Sequence, residues 1–121
     1  MLQPLLIDQR SVAGVTILAL NGPLLADEDD RLLRERVRSL TAAGERHLVL
    51  DLRHVTHIDS GGVGALIATH LHMTRRGGQL KLLCPSDRCT RVLRMTHLLE
   101  VFDVFTREDE AVRSFAVGAK C

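Results

Sequence analysis

Asp59 and Ser60 stand side by side directly before a stretch of apolar residues at helical spacing. Ser60 lies where a helix N-cap belongs, and the free N–H groups and positive dipole end of a helix N-terminus suit a covalently attached phosphate. A phosphate adds about −1.5 to −2 charge units, so on an exposed surface it can end the docking of a partner. These residues indicate a phosphorylation switch at Ser60, with an ordinary helix cap as the alternative.

Glycine is unusually frequent in the first turn of this helix, at Gly61, Gly62 and Gly64. Because glycine is a poor helix former, three of them indicate that another surface approaches the backbone closely, and a partner protein is one candidate. Asp59 either orients a partner kinase or is simply favoured by the helix dipole. We expect the docking surface to consist of Asp59, Ser60, Gly61, Gly62, Val63 and Gly64.

Other chemistries lack supporting patterns. The pairs of histidines at 54 and 57 and at 70 and 72 come without the third and fourth ligands of a zinc site. Ser60, Asp59 and His57 do not form a G-x-S-x-G elbow, and no Gly-Lys-Ser/Thr follows the glycines as in a phosphate-binding loop. We therefore expect no metal, no cofactor and no catalysis by this chain.

Several charged residues can contribute to the surface around the switch. Arg88, Arg91 and Arg94 recur every third residue and form either a solvated helix face or a patch for an acidic partner. Asp51 ends a predicted strand, where its carboxylate is expected to pair with backbone groups of the following loop. We treat Asp51 and His57 as neighbours of the site.

The composition fits one soluble domain of 121 residues. It is 45% hydrophobic, without Trp or Tyr to stack on bases, and its net charge of +1 gives no field for nucleic acid. No apolar run approaches the length of a membrane span, and no signal peptide is evident. Three cysteines, Cys84, Cys89 and Cys121, are typical of free thiols in a reducing compartment. We expect a cytoplasmic protein.

Strand and helix signals alternate along the chain and predict the order ββαβαβαβα. The predicted strands are residues 5–8, 14–20, 47–52, 79–83 and 101–105. The predicted helices are residues 26–43 and 60–76, a third helix capped by Ser86 and a fourth capped by Thr106, and residues 53–59 are a predicted loop. The second helix is expected to bury Leu66, Ile67 and Leu71, and the third to carry Val92, Leu93 and Met95. This pattern predicts a mixed, largely parallel α/β sheet with an N-terminal antiparallel strand.

A long ordered motif resembles the STAS domains, which occur in anti-sigma factor antagonists and in the cytosolic tails of sulphate transporters. The pattern D-L-x-x-[VL]-x-x-[IM]-D-S-x-G-[LV]-x-x-L is met by Asp51, Leu52, Val55, Ile58, Asp59, Ser60, Gly62, Val63 and Leu66. A G-G-x-L-x-L strand follows at residues 77–82, and R-V-L at residues 91–93 and V-F at residues 101–102 also fit. The resemblance implies a STAS fold, and the Asp-Ser pair implies the antagonist branch.

The resemblance also implies a mechanism. The unphosphorylated chain would bind an anti-sigma factor serine kinase and free the sigma factor, and the kinase would use ATP to phosphorylate Ser60 and end the interaction. An accessory subunit of a membrane transport ATPase, or a signalling scaffold, is the alternative with the same fold. A small hydrolase or nucleotide-binding protein is the alternative of another class.

Two positions depart from the family pattern. Members usually carry an acidic residue in a turn after the second strand, where this chain has Leu25, and the nearest acidic residues are Asp27 and Glu28. If that acid normally meets the kinase, the pairing is changed here, so Asp27 is included as a neighbour of the site. His97 replaces a common glycine near the end of the third helix.

Overall fold

The computed structural model describes residues 3–118, so Cys121 lies outside the described residues. The strands are β1 (Leu6–Val12), β2 (Val15–Leu24), β3 (His47–Ile58), β4 (Gln79–Leu83) and β5 (Asp103–Phe105). The helices are α1 (Glu28–Ala42), α2 (Ser60–Arg75), α3 (Asp87–Met95) and α4 (Glu108–Gly118). The predicted order of elements is confirmed. Within the described range, no helix combines the length and apolar character required to cross a membrane.

The five strands form one sheet in the spatial order β1-β2-β3-β4-β5. β1 is antiparallel to β2, and every later pair is parallel. Parallel neighbours need a crossover connection, which α1, α2 and α3 provide between successive strands. The predicted mixed sheet with an antiparallel first strand is therefore confirmed.

Helices cover the two faces of the sheet unequally. α1, α2 and α3 pack on one face over the larger core, which includes Leu48, Leu50 and Leu52 of β3. α4 covers part of the other face, where Phe115 joins a smaller cluster with Val49. The continuous apolar run of β3 is explained by this position, since a central strand is covered on both faces.

The third strand is longer than predicted. Residues 53–58, predicted to be a loop, continue β3 and pair with the end of β2 through two irregular steps in register. Only β2 accompanies this half of the strand, because the pairing with β4 stops at Asp51. Polar residues are tolerated along an extension that pairs with a strand on one side only. Val55 faces inward and is 2% exposed. This extension places Ser60 beyond the carboxyl end of the central strand.

The opening hairpin is also longer than the predicted strands 5–8 and 14–20. β1 runs to Val12, and Ala13 and Gly14 form a two-residue turn in which both residues have positive φ. Such turns match the twist of the flanking strands. The last strand, in contrast, is reduced to three residues.

One side chain predicted to be buried by the second helix is exposed. Leu71 on α2 is 43% exposed, and Met95, which the third helix was expected to carry, is 73% exposed. The buried residues of α2 are instead Gly62, Val63, Ala65, Leu66, Thr69 and Met73. Met73, rather than Leu71, belongs to the face that packs on the sheet, and the interpretation of Leu71 as core was wrong.

Candidate functional site around Ser60

Asp59, not Ser60, is the N-cap of α2. Asp59 has extended backbone angles, and its Oδ1 accepts a hydrogen bond of 2.9 Å from the backbone N–H of Gly62. Ser60 is the first residue of the helix, and its side chain is exposed. The expectation that Ser60 caps the helix was wrong by one position, because both residue types are good caps and the neighbouring loop favours Asp59.

The same carboxylate joins α2 to the loop between β2 and α1. Asp59 Oδ1 and Oδ2 accept from the backbone N–H of Ala26 at 3.0 and 3.1 Å. Desolvation raises the pKa of Asp59, but the hydrogen bonds from Ala26 and Gly62 outweigh it and hold the pKa below its ordinary value of 3.8. Asp59 is therefore ionised at neutral pH and fixes two segments that are distant in the sequence.

Two of the three glycines are explained by this contact within the chain. A Cβ on Gly61 would lie 2.5 Å from Ala26 Cα, and a Cβ on Gly62 would lie 2.1 Å from the carbonyl oxygen of Leu24. The surface that approaches these glycines is the chain's own loop, so the suggestion that a partner requires them was wrong. At Gly64 the nearest atom to an added Cβ is 3.7 Å away, on Arg34.

The predicted docking residues differ in accessibility. Asp59 and Ser60 are exposed, and Gly61 and Gly64 are half-buried. Gly62 and Val63 are buried and support the surface from beneath. A partner that docks at the start of α2 would therefore touch Ser60 and its immediate surroundings, not a contiguous stretch of six side chains.

A second surface adjoins the site and was not assembled by sequence reasoning. Leu25 and His57 lie across a shallow groove from Arg88 and Arg91, at the start of α3. Sequence spacing identified the arginines as a stripe, and Arg94 is exposed farther along it. The spacing gave no reason to place these arginines beside Leu25, since the two segments are more than sixty residues apart in the sequence.

Acidic residues surround the beginning of α1, close to the same loop. Asp27 is exposed and has a left-handed backbone with φ 70°. The Asp29 carboxylate accepts from the backbone N–H of Leu25 at 3.0 Å, and Glu28 pairs with Arg31. Asp27 thus follows Ala26, the residue whose backbone N–H is bound by Asp59.

Asp51 is not brought to this surface. The extension of β3 puts seven residues between Asp51 and Asp59, a separation of roughly 25 Å along a strand. Asp51 Oδ1 accepts from the backbone N–H of Arg53 at 3.1 Å, which fits the expected structural role. The assignment of Asp51 as a site neighbour was therefore wrong.

The arrangement around Ser60 is not that of a hydrolase triad. The Asp59 carboxylate is engaged with backbone N–H groups, and His57 Nδ1 lies 3.1 Å from the hydroxyl of its neighbour Thr56. Across residues 3–118, no three His, Cys, Asp or Glu side chains are grouped as metal ligands. The site offers an exposed hydroxyl and a charged surface.

Comparison with known proteins finds relatives that match most of the chain. A family model described as STAS domain matches residues 7–111. An anti-sigma F factor antagonist of Paenibacillus polymyxa is 23% identical over 111 residues, covering 92% of this chain and 95% of the relative. An anti-sigma-B factor antagonist of Bacillus subtilis (strain 168) is 30% identical over 82 residues, covering 68% of this chain and 74% of the relative.

Solved structures share the same architecture. A Thermotoga maritima protein, described as a candidate anti-sigma factor antagonist, superposes with a TM-score of 0.80 at 26% identity, over 89% of this chain and 92% of that chain. The Bacillus cell fate determinant SpoIIAA in its phosphorylated form gives a TM-score of 0.70 at 20% identity, over 91% of this chain and 99% of that chain. At 20% identity, the similarity to the SpoIIAA structure shows a shared fold.

Proposed function

The chain belongs to the STAS domain family, and from that premise we propose that it is an anti-sigma factor antagonist controlled at Ser60. Its curated relatives from Paenibacillus polymyxa and Bacillus subtilis are anti-sigma factor antagonists. In the proposed cycle the unphosphorylated chain binds an anti-sigma factor serine kinase and so releases the sigma factor. Phosphorylation of Ser60 by that kinase ends the binding.

The observation that carries this proposal is the division of tasks between Asp59 and Ser60. Asp59 makes the capping hydrogen bonds to Gly62 and to the loop at Ala26. Ser60 is exposed and is not needed for either bond. A kinase can therefore reach the hydroxyl and modify it while the helix keeps its cap.

A phosphate at Ser60 would act through surface charge. Asp59 already provides a negative charge beside it, because hydrogen bonds keep its pKa low. The N–H of Gly62 is taken by Asp59, so this donor cannot neutralise the added phosphate. Like charges brought together at an interface disfavour docking, so phosphorylation would repel a partner surface that tolerates the neutral serine.

The groove beside Ser60 gives the proposed partner a second point of attachment. Arg88 and Arg91 supply two positive charges on one side, where Asp87 supplies one negative charge, and Leu25 supplies an apolar group on the other. The family usually has an acidic residue in the turn that Leu25 occupies here. This chain lacks that negative charge, and the arginines of α3 favour an acidic group on the partner. The expected partner is thus a kinase whose docking surface carries carboxylates opposite α3.

In this scheme the chain is a substrate and a ligand of the kinase, and it has no catalytic activity of its own. ATP would be bound by the kinase. The expected location is the cytoplasm, where the proposed kinase and sigma factor would act.

Binding of the cognate kinase by charge variants tests the proposal. Replacing Ser60 with Asp adds a negative charge at the switch and should weaken binding at least about tenfold, since like-charge contacts at interfaces are costly. Ser60→Ala should bind as tightly as the wild type. Titration calorimetry with the purified full chain and kinase measures both.

Ser39→Asp is the matched control, because Ser39 is an exposed serine on α1. It should leave the affinity within about twofold of the wild type, as expected for a charge outside the contact surface. Equal binding by the wild type and Ser60→Asp would remove the switch from the proposal. Absence of binding to every such kinase of the same genome would favour the transport-accessory or scaffold function.

A further inference from the structure

A groove of about 340 Å³ lies between α1 and α2, away from the switch. Its walls are formed by Arg34, Val37, Arg38, Ala68, Thr69, Leu71, His72, Arg75 and Arg76. Leu71, which was expected to be core, opens into this groove with 43% of its surface exposed. α2 is about 22 Å long between its first and last residues, so the groove near Arg75 is well separated from Ser60.

The positive charge in the groove is largely uncompensated. Arg34 pairs with Asp30. For Arg38, Arg75 and Arg76, no carboxylate of the described residues lies within 4.0 Å. The chain as a whole has a formal net charge of only +1, so this concentration is local. Guanidinium groups that line one groove repel one another, and an anion bound there would relieve that repulsion.

His72 contributes a further polar group to the groove. Its Nε2 lies 2.7 Å from the hydroxyl of Thr41 on α1. Desolvation lowers the pKa of His72, and the nearby positive charges of Arg76, Arg38 and Arg46 lower it further. The imidazole therefore senses the charge in the groove, and a bound anion would raise its pKa.

We propose that the groove between α1 and α2 binds a small organic anion, with a phosphate or carboxylate group held by Arg38, Arg75 and Arg76 and an apolar part against Leu71 and Val37. Arginine forks match the geometry of both anionic groups. This binding site is independent of the function proposed for Ser60.

The dimensions favour a small molecule over a protein segment. Ligand pockets typically enclose about 300–1,000 Å³, and this groove is at the lower end of that range. A docked helix is about 10–12 Å wide and needs a longer trough. The groove is also lined by the apolar side chains Val37, Ala68 and Leu71. An organic anion can bury an apolar part against them, whereas an inorganic phosphate ion cannot.

Phenyl phosphate is a suitable probe because it combines a dianion with an apolar ring. We expect saturable shifts of the backbone amide signals of Arg38, Ala68 and His72 when the isotopically labelled full chain is titrated and followed by NMR. The His72 pKa, read from its ring signals, should rise at saturation. Phenylacetate tests the carboxylate alternative, and uncharged phenol tests the apolar contact alone.

The double variant Arg38→Gln with Arg76→Gln should weaken binding of phenyl phosphate at least about tenfold, because it removes two charge-assisted contacts. Arg107→Gln with Arg113→Gln is the matched control. It removes the same charge from exposed positions around α4, and it should leave binding within about twofold.

Binding of either anion with selective loss in the groove variant supports the site, and the tighter probe identifies the anionic group. Binding that falls equally in both double variants would mean non-specific attraction and would overturn the proposal. No saturable shift with either anion would also overturn it. Melting temperatures of the variants verify that they are folded.

Discussion

Asp59 and Ser60 are adjacent in the chain, yet they contribute to different properties of the protein. The Asp59 carboxylate holds the start of α2 and the Ala26 loop together through three N–H···O contacts. Ser60 is exposed to solvent and takes part in none of these contacts. A modification of Ser60 can therefore change the surface without dismantling the helix terminus.

Stability measurements distinguish these two tasks. Ser60→Ala should change the free energy of unfolding by less than about 0.5 kcal/mol, as for other exposed positions. Asp59→Ala should lower it by about 1–2 kcal/mol, since it removes an N-cap and also leaves the Ala26 N–H without its acceptor. Urea denaturation of both variants measures the difference, and comparable losses would contradict the assignment of Asp59 as the cap.

The pH dependence of stability in the wild type and in Asp59→Ala gives a second readout. The folded pKa of Asp59 is below its ordinary value of 3.8, so its ionised form is favoured by folding. Its contribution is complete above that ordinary value and is lost as the pH falls through the folded pKa. The stability gap between wild type and Asp59→Ala should therefore be constant from neutral pH to about pH 5 and shrink under stronger acid.

The position of Asp59 and Ser60 at the start of α2 could be predicted from the sequence, but the choice between them as N-cap could not. The spacing of apolar residues located the helix start to within one residue. Asp and Ser are both favoured N-caps, so local preference does not choose between them. The choice is made by Ala26, whose N–H binds Asp59 from 33 positions earlier in the chain.

At the scale of elements, α2 can begin where it does only because its first turn has no side chains on the surface that meets the loop. Gly61 and Gly62 allow the loop between β2 and α1 to pack directly against the helix backbone. Gly64, one turn on, has room for a side chain. The three glycines therefore have unequal roles, which their spacing in the sequence does not reveal.

Alanine substitutions at Gly62 and Gly64 should have opposite effects. Gly62→Ala would force a Cβ against the Leu24 carbonyl oxygen and should destabilise the protein by about 1–3 kcal/mol. Gly64→Ala should stabilise it by up to about 1 kcal/mol, because alanine is the better helix former. Thermal denaturation compares them directly. Stabilisation by both substitutions would show that the loop does not pack against the helix.

The order and type of the elements followed from periodicity, whereas two details depended on distant contacts. Residues 53–58 lack a continuous apolar pattern because only β2 pairs with them, and so they were predicted to be a loop. Leu71 fits the apolar periodicity of α2, but the face of the helix that packs on the sheet carries Met73 instead. Neither contact can be inferred from local composition.

At the scale of the whole molecule, near-neutrality conceals local concentrations of charge. Acidic residues collect where α1 begins, beside the ionised Asp59, and arginines collect in the groove between α1 and α2. The parallel strands β2 and β3 both end near the acidic region, which places the switch at one end of the sheet. Surface charge at that end is therefore the property that phosphorylation would change most.

Mass measurement after kinase treatment tests the central claim most directly. The full chain is incubated with ATP and each anti-sigma-type kinase of the same genome, and its intact mass and modified site are determined. We expect one phosphate, at Ser60, in the wild type and in Ser39→Ala, and none in Ser60→Ala. Phosphate at another residue, or no phosphate with any of these kinases, would contradict the claim that Ser60 is the switch.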